Sequence, residues 1–134
     1  SLLLRAAALL FEHHADIAYV PSRVGKERGA VERAHDYMEA HFSEDVSLCK
    51  LARIVNLSPW YFARVFAKTM GLPPHAYLES VRVRKVCALL DRGDAIASAA
   101  LSAGYADQSH LTKRFRRLLG ITPRQYISRP LPRQ

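Results

Sequence analysis

The chain has 134 residues, of which 49% are apolar and 24% are charged, enough for one modest domain or two small ones. The net charge of +8 lies entirely after residue 80, where 11 Lys and Arg outnumber 3 Asp and Glu. Residues 1–80 contain 9 basic and 9 acidic residues and have no net charge. No apolar run approaches the ~20 residues that a membrane-spanning helix needs. The charge asymmetry points to a polyanionic partner, nucleic acid or an anionic membrane surface, although by itself it fits a solvated face equally well.

The first thirty residues are predicted to contain one helix and a linker. Residues 1–19 are apolar on nearly all sides, so this helix must pack against something else. Residues 21–29 contain one proline, two glycines and mixed charges, which predicts an exposed linker. We expect the helix to pack on this domain or, preferably, to pair with a second copy of the chain.

A first pair of short helices is predicted over residues 47–71. Ser47 can cap the first of them, and Asn56 can adopt the left-handed conformation that ends it. Ser58 followed by Pro59 is a cap with a first-turn proline, and Gly71 ends the second helix. Two short helices around a tight turn are typical of a helix-turn-helix.

A longer helix is predicted from Pro74 to about residue 90, followed by a second helix pair over residues 95–120. In that pair Gly104 forms the turn and Asp107 caps the second helix, which Gly120 ends. Thr122 and Pro123 begin a last short helix. Because no segment alternates like a strand, the predicted fold is all-α.

The two helix pairs repeat one pattern. Four residues recur 49 positions later: Phe66, Gly71, Pro74 and Tyr77 return as Phe115, Gly120, Pro123 and Tyr126. Self-similarity at a fixed offset indicates one supersecondary unit used twice.

The second helix of a helix-turn-helix lies in the major groove, so its outward side chains can contact bases. Those with base-reading chemistry are Trp60, Ala63 and Arg64 in the first unit and Gln108, Ser109, Thr112 and Lys113 in the second. Those we assign to the DNA backbone are Tyr61, Lys68, His110 and Arg116. Each could also be an ordinary surface or packing residue. For Trp60 we favour function, because Phe62, Val65 and Phe66 already fill the buried stripe and an exposed tryptophan needs a partner. Arg64 and Lys113 differ from ordinary surface cations only in their matching places in the two units, and His110 fits packing or a phosphate contact as well as a base contact.

Two long segments resemble a known family: SPWYFARVFAKTMGLPPHAYL (residues 58–78) and GYADQSHLTKRFRRLLGITPRQY (residues 104–126). They are similar to the DNA-binding domain of the AraC/XylS family of bacterial transcription regulators. The resemblance implies two homeodomain-like helix-turn-helix units joined by a long helix, about seven helices beside the extra N-terminal one, contacting adjacent major grooves. It also implies double-stranded DNA and RNA polymerase as partners and activation in preference to repression. A cytoplasmic location is expected from the cysteines, because only two are present and both are predicted to be reduced. Residues 1–29 would be the end of an upstream effector or dimerisation domain plus linker, and residues 30–134 the DNA-binding domain.

An enzyme is the main alternative, because similar units occur fused to DNA-repair methyltransferases, which need a reactive cysteine. Cys49 and Cys87 fall on apolar stripes, so we predict buried, reduced thiols and no nucleophile. His13, His14, His35 and His41 lack metal-ligand spacing. We therefore predict no catalytic residue, no metal and no cofactor. A membrane-surface module fits less well, since the basic residues occupy several short helices.

Overall fold

The computed structural model describes residues 21–130, and within that range it contains seven helices and no strand. The helices are α1 (Pro21–Ala40), α2 (Leu48–Ile54), α3 (Pro59–Met70), α4 (Pro74–Asp91), α5 (Ile96–Ser102), α6 (Gln108–Leu119) and α7 (Pro123–Ser128). The expected all-α fold is thereby confirmed. The helix predicted over residues 1–19 lies outside the described residues.

The chain forms two compact units. Of the described residues, unit one takes 21–40 and 46–77, and unit two takes 41–45 and 78–130. Helix α4 therefore begins in unit one and continues through unit two.

In unit one, α1 and α2 pack against α3. Each helix buries one apolar stripe, as an amphipathic helix requires. The buried side chains are Ala30, Val31, Ala34 and Met38 of α1, Leu51, Ala52 and Val55 around α2, and Phe62, Val65 and Phe66 of α3. The Phe66 ring lies 5.7 Å from those of both Phe62 and Tyr77, so aromatic contacts fix the buried side of α3.

The turn of unit one follows the sequence prediction. The Ser47 and Ser58 hydroxyls accept hydrogen bonds from the backbone amides three residues ahead, at 3.1 and 3.2 Å. Asn56 has φ of 59°, the left-handed conformation that turns the chain between α2 and α3. Gly71 ends α3 with φ of 84°. These local signals fix where α3 starts, points and stops.

In unit two, α5 and α7 pack against α6. Its core is formed by buried residues of α4, α5 and α6 together with Tyr105: Val83, Val86, Leu90, Ala99, Ala100, Ala103, Tyr105, Leu111 and Phe115. Asp107 caps α6 by accepting the His110 amide at 2.8 Å, and Gly120 ends it with φ of 79°. Thr122 and Gln125 form a reciprocal capping box at α7.

The segment 41–45 is built into unit two. The Arg82 guanidinium donates hydrogen bonds to the carbonyl oxygens of Phe42, at 2.7 Å, and Glu44, at 2.8 Å. Gly104 faces the Ser43 backbone so closely that a Cβ there would lie 2.6 Å from its carbonyl oxygen. Helical periodicity predicts Arg82 on the outer face of α4, but its side chain is half-buried and bonded to this segment.

The prediction of a linker over residues 21–29 is wrong, because these residues form the first half of α1. Pro21 occupies the first helical position, where its missing N–H costs nothing. Glycine within a helix costs only about 1 kcal/mol relative to alanine, and burial of Ala30, Val31, Ala34 and Met38 anchors the second half of the same helix. Tertiary packing therefore outweighs the local glycine signal.

Helical periodicity predicts that Leu48, Cys49 and Leu118 face the core, but all three are exposed. Leu48 and Cys49 lie in the first turn of α2, where burial begins only at Leu51. Leu118 is 46% exposed, because the buried stripe of α6 ends at Phe115. In both helices periodicity gave the correct face but not how far the core extends along it.

Candidate nucleic-acid interface

Helix α3 turns its buried stripe to the core and its opposite side to solvent. Trp60 is 67% exposed in the first turn, while Ala63 and Arg64 are partly exposed one turn later. The guanidinium carbon of Arg64 lies 4.4 Å from the centre of the Trp60 ring, a cation–π contact. The three predicted base-contacting residues thus share the outer side of α3, with the large aromatic next to the cation.

Tyr61 and Lys68, both assigned to the DNA backbone, lie at opposite ends of α3. The Tyr61 hydroxyl is partly buried and donates a hydrogen bond to the Glu27 carboxylate on α1. Lys68 is exposed in the last turn. The structure thus gives Tyr61 a packing role between α1 and α3, which the sequence did not indicate.

Helix α6 has the same arrangement in unit two. Leu111 and Phe115 are buried, while Gln108, Ser109, Lys113 and Arg116 are exposed. The Thr112 hydroxyl donates to the Gln108 carbonyl oxygen at 2.9 Å, which leaves its oxygen as an acceptor. The predicted base-contacting set of unit two therefore lies on the solvent side of this helix.

His110 occupies a different environment from its neighbours. It is half-buried, and its ring meets the Tyr105 ring edge-on at 5.3 Å. Burial and the nearby Glu79 carboxylate raise the pKa of Tyr105, so its hydroxyl stays protonated and can donate to Glu79. His110 is thus held by packing on one side of its ring.

Sequence reasoning missed two exposed cations. Arg114 and Arg117 add to Lys113 and Arg116, so α6 carries four cations and no carboxylate. Helix α3 likewise has two cations and no carboxylate. Charge counting within each helix, rather than a search for base-reading residues, would have identified them. Both exposed helices therefore favour an anionic partner.

The two cysteines differ from expectation. Cys49 is exposed and Cys87 is only half-buried, so the prediction of two buried thiols is wrong. Burial nevertheless raises the pKa of the Cys87 thiol, which disfavours the thiolate that a nucleophile needs.

Residues 21–130 contain neither a candidate metal cluster nor a helix that could span a membrane. In that range no cluster of three His, Cys, Asp or Glu side chains could hold a metal ion. No helix among those residues is both long and apolar enough to cross a bilayer.

Two helix pairs, each ending in a capped, solvent-facing basic helix, define a helix-turn-helix protein of the nucleic-acid-binding class. The comparisons agree: residues 51–129 match the family model described as "Helix-turn-helix domain". The chain belongs to the AraC/XylS family of transcription regulators, within which it corresponds to the DNA-binding domain.

The similar proteins support this assignment. An uncharacterized HTH-type transcriptional regulator of Bacillus subtilis, YbfI, is 33% identical over 76% of the chain and 37% of its own length. Among solved structures, the C-terminal domain of the response regulator AraT from Geobacillus stearothermophilus matches with a TM-score of 0.71 and 30% identity, covering 77% of this chain and 88% of that domain. The DNA-binding domain of AdpA, solved in complex with a target DNA, matches with a TM-score of 0.69 and 26% identity, covering 73% of this chain and 89% of that one.

One relative bears on the enzymatic alternative. The bifunctional transcriptional activator/DNA repair enzyme Ada of Escherichia coli is 32% identical over 60% of the chain but only 23% of Ada itself. The chain spans about a third of the length of the curated relatives named first among its matches. The similarity therefore concerns the DNA-binding domain and not a whole regulator.

Proposed function

We propose that this chain binds duplex DNA sequence-specifically and regulates transcription, with α3 and α6 each entering a major groove. The observation that supports this best is the repeated design: each helix follows a capped turn, buries two or more aromatic or aliphatic residues, and exposes polar and cationic side chains. Two recognition helices would contact grooves one turn apart, roughly 34 Å along one face of the duplex.

The exposed side chains suit particular base edges. Arg64 can donate two hydrogen bonds to O6 and N7 of guanine, and Gln108 can pair with N6 and N7 of adenine. Trp60 and Ala63 offer apolar surface to thymine methyl groups. Ser109, Thr112 and Lys113 can contact a base or a phosphate. Tyr61, Lys68, His110 and Arg116 would contact the backbone and set the register on DNA.

The decisive experiment selects bound duplexes from random DNA and then footprints the protein on the selected sequence. We expect two short conserved blocks about one helical turn apart and protection on one face over about two turns. A single block with protection of half a turn would overturn the two-helix model. Equal affinity for selected and scrambled DNA would overturn sequence-specific binding altogether.

We infer that the chain acts by binding and not as part of a methyltransferase. Cys87 supports this, because its thiol is half-buried and burial raises its pKa, whereas a methyl acceptor needs an accessible thiolate. Cys49 is exposed, so the test must examine both thiols. Incubation with methylated duplex DNA followed by mass spectrometry of the protein tests it. An unchanged mass is expected, whereas a gained methyl group on Cys49 or Cys87 would favour the repair alternative.

The remaining partners extend the same proposal. As a bacterial regulator the chain would act in the cytoplasm, engage RNA polymerase and activate rather than repress. In-vitro transcription from a promoter carrying the selected sequence tests the action on RNA polymerase and the activation. A decrease in transcript on adding the protein would make it a repressor instead. The apolar sequence of residues 1–19 further suggests a homodimer. A monomer at tens of micromolar in sedimentation equilibrium would exclude it.

A further inference from the structure

A shallow depression lies beside the turn of unit one, between the middle of α1 and the start of α3. Its volume is about 420 Å³, and its lining comprises Lys26, Glu27, Ala30 and Arg33 of α1, the turn residues 55–57, and Tyr61. The turn residues directly precede the helix that would enter the major groove. The depression therefore lies at the N-terminal end of α3.

Two exposed cations share one edge of this depression. Lys26 and Arg33 are seven residues apart, which at 3.6 residues per turn places them on nearly the same side of α1. The one carboxylate in the lining, that of Glu27, accepts the hydrogen bond of the Tyr61 hydroxyl. The cations outnumber the carboxylates here by two to one.

The opposite edge of α1 provides a contrast within the same helix. Arg28 lies there in a second depression with His35, Thr69 and Met70, next to the C-terminal end of α3. Two carboxylates, from Glu32 and Asp36, line this second depression, so its lining has no excess of arginine and lysine over acid. The cationic edge of α1 is thus the edge next to the start of α3.

We propose that Lys26 and Arg33 bind phosphates of the DNA strand bordering the groove that α3 enters, which makes this edge of α1 part of the DNA interface. The N-terminal residues of a recognition helix are those that approach the base edges. The sugar-phosphate backbone borders the groove on both sides, so cations beside this end of α3 lie where phosphates pass. Lysine and arginine supply many of the phosphate contacts that position such proteins.

The proposal rests on the proposed DNA-binding function, and its test is independent of the target sequence. The probe is a fluorescent random-sequence duplex of roughly 30 base pairs, about three helical turns. Its affinity for the whole 134-residue chain is measured by anisotropy over a series of salt concentrations. Because each neutralised phosphate releases condensed counterions, the slope of log affinity against log salt counts the contacts.

Lys26→Ala and Arg33→Ala should each shrink that slope by about one, and the double variant by about two. Arg28→Ala removes the same charge from the other edge of the same helix and should leave the slope unchanged. Lys26→Arg keeps the charge and should retain the wild-type slope. Circular dichroism establishes that each variant is folded. If Arg33→Ala unfolds, the comparison of Lys26→Ala with Lys26→Arg is sufficient to test the proposal.

Wild-type slopes in Lys26→Ala and Arg33→Ala would overturn the proposal while leaving the DNA-binding function intact. An equal decrease in Arg28→Ala would also overturn it, since the effect would then reflect net charge and not position. A wild-type chain that binds no DNA would overturn this proposal and the proposed function together. The sequence preference of Arg64→Ala reports on the recognition helix alone, so the two failures are distinguishable.

Discussion

The guanidinium of Arg64 lies against the ring of Trp60, one helical turn before it, with 4.4 Å between the guanidinium carbon and the ring centre. At an exposed site such a contact contributes about 0.5–1 kcal/mol. It also restricts the rotamers of a long side chain before DNA arrives, so that less side-chain entropy is lost on binding. Trp60 therefore has two roles in the proposal, as a base contact and as a residue that positions Arg64.

Replacing Arg64 tests the bidentate guanine contact. Arg64→Ala should weaken binding to the selected sequence by ~1–3 kcal/mol and relax the preference at one base pair. Arg64→Lys keeps the charge but not the two-pronged geometry, so it should lose the preference as well. Selection from random DNA with each variant gives the answer. An equal loss of affinity for every sequence would indicate a phosphate contact instead.

Replacing Trp60 tests the positioning role. Trp60→Phe retains an aromatic face for Arg64, whereas Trp60→Ala removes it, so the alanine variant should bind the selected duplex several-fold more weakly, by about 0.5–1 kcal/mol. The comparison is repeated in an Arg64→Ala background, where the difference between Phe and Ala should shrink. An unchanged difference there would mean that Trp60 acts through the DNA alone.

Lys68 and Arg116 are predicted to contact phosphates that flank the two recognition helices. Substituting either with alanine should weaken specific and non-specific binding alike, and the salt slope should fall by about one. Affinity for the selected and a scrambled duplex, measured over a range of salt, distinguishes the roles. A wild-type slope with reduced discrimination would instead make that residue a base contact.

Gly104 is predicted to tolerate alanine less well than Gly120 does. Both have positive φ, 91° and 79°, so alanine costs about 1–2 kcal/mol of backbone strain at either position. Only at Gly104 would the new Cβ also meet the Ser43 backbone, 2.6 Å from its oxygen, which should add roughly 1–3 kcal/mol. Urea unfolding of the two variants provides the comparison. Equal losses of unfolding free energy in the two variants would show that segment 41–45 shifts to accommodate the new Cβ without a measurable cost.

Acid should weaken the attachment of α7 to α4. The Arg129 guanidinium donates to the Asp91 carboxylate at 2.9 Å, and the Tyr126 hydroxyl at 3.1 Å, which holds the pKa of Asp91 below its ordinary value of 3.8. Because the folded-state pKa is depressed, this stabilisation is present above that ordinary value and is lost as the pH falls through the folded-state pKa.

The measurement compares unfolding free energies of wild type and Asp91→Asn at about pH 7 and about pH 3. The wild type should be more stable than Asp91→Asn at neutral pH, and the difference between their unfolding free energies should decrease in acid. Tyr126→Phe keeps the Asp91–Arg129 pair and should retain part of the pH dependence. If the difference in unfolding free energy between wild type and Asp91→Asn is the same at both pH values, ionisation of Asp91 is not the source of the pH dependence.

Local signals predicted much of the fold. Ser58 with Pro59, Asn56, Gly104 and Asp107 mark the turns and starts that the structure shows, because capping and positive φ are decided within a few residues. The helical state of residues 21–29 was not predictable in this way. It follows from packing of residues that come later in α1, a non-local effect that outweighs two glycines.

For the candidate site, periodicity predicted which side chains face outward but not what they touch. The stacking of Arg64 on Trp60, the bond from Tyr61 to Glu27 and the packing of His110 on Tyr105 depend on rotamers and on neighbouring helices. Whether these side chains contact DNA remains a prediction for the experiments above.

Segment 41–45 makes unit two discontinuous along the chain. Its carbonyl oxygens hold Arg82 and its backbone abuts Gly104, although α2 and α3 of unit one separate it in sequence from the rest. A fragment starting at residue 78 would leave the Arg82 guanidinium without these two acceptors. A continuous fragment that contains all of unit two must therefore begin at or before residue 41, and it carries α2 and α3 of unit one with it.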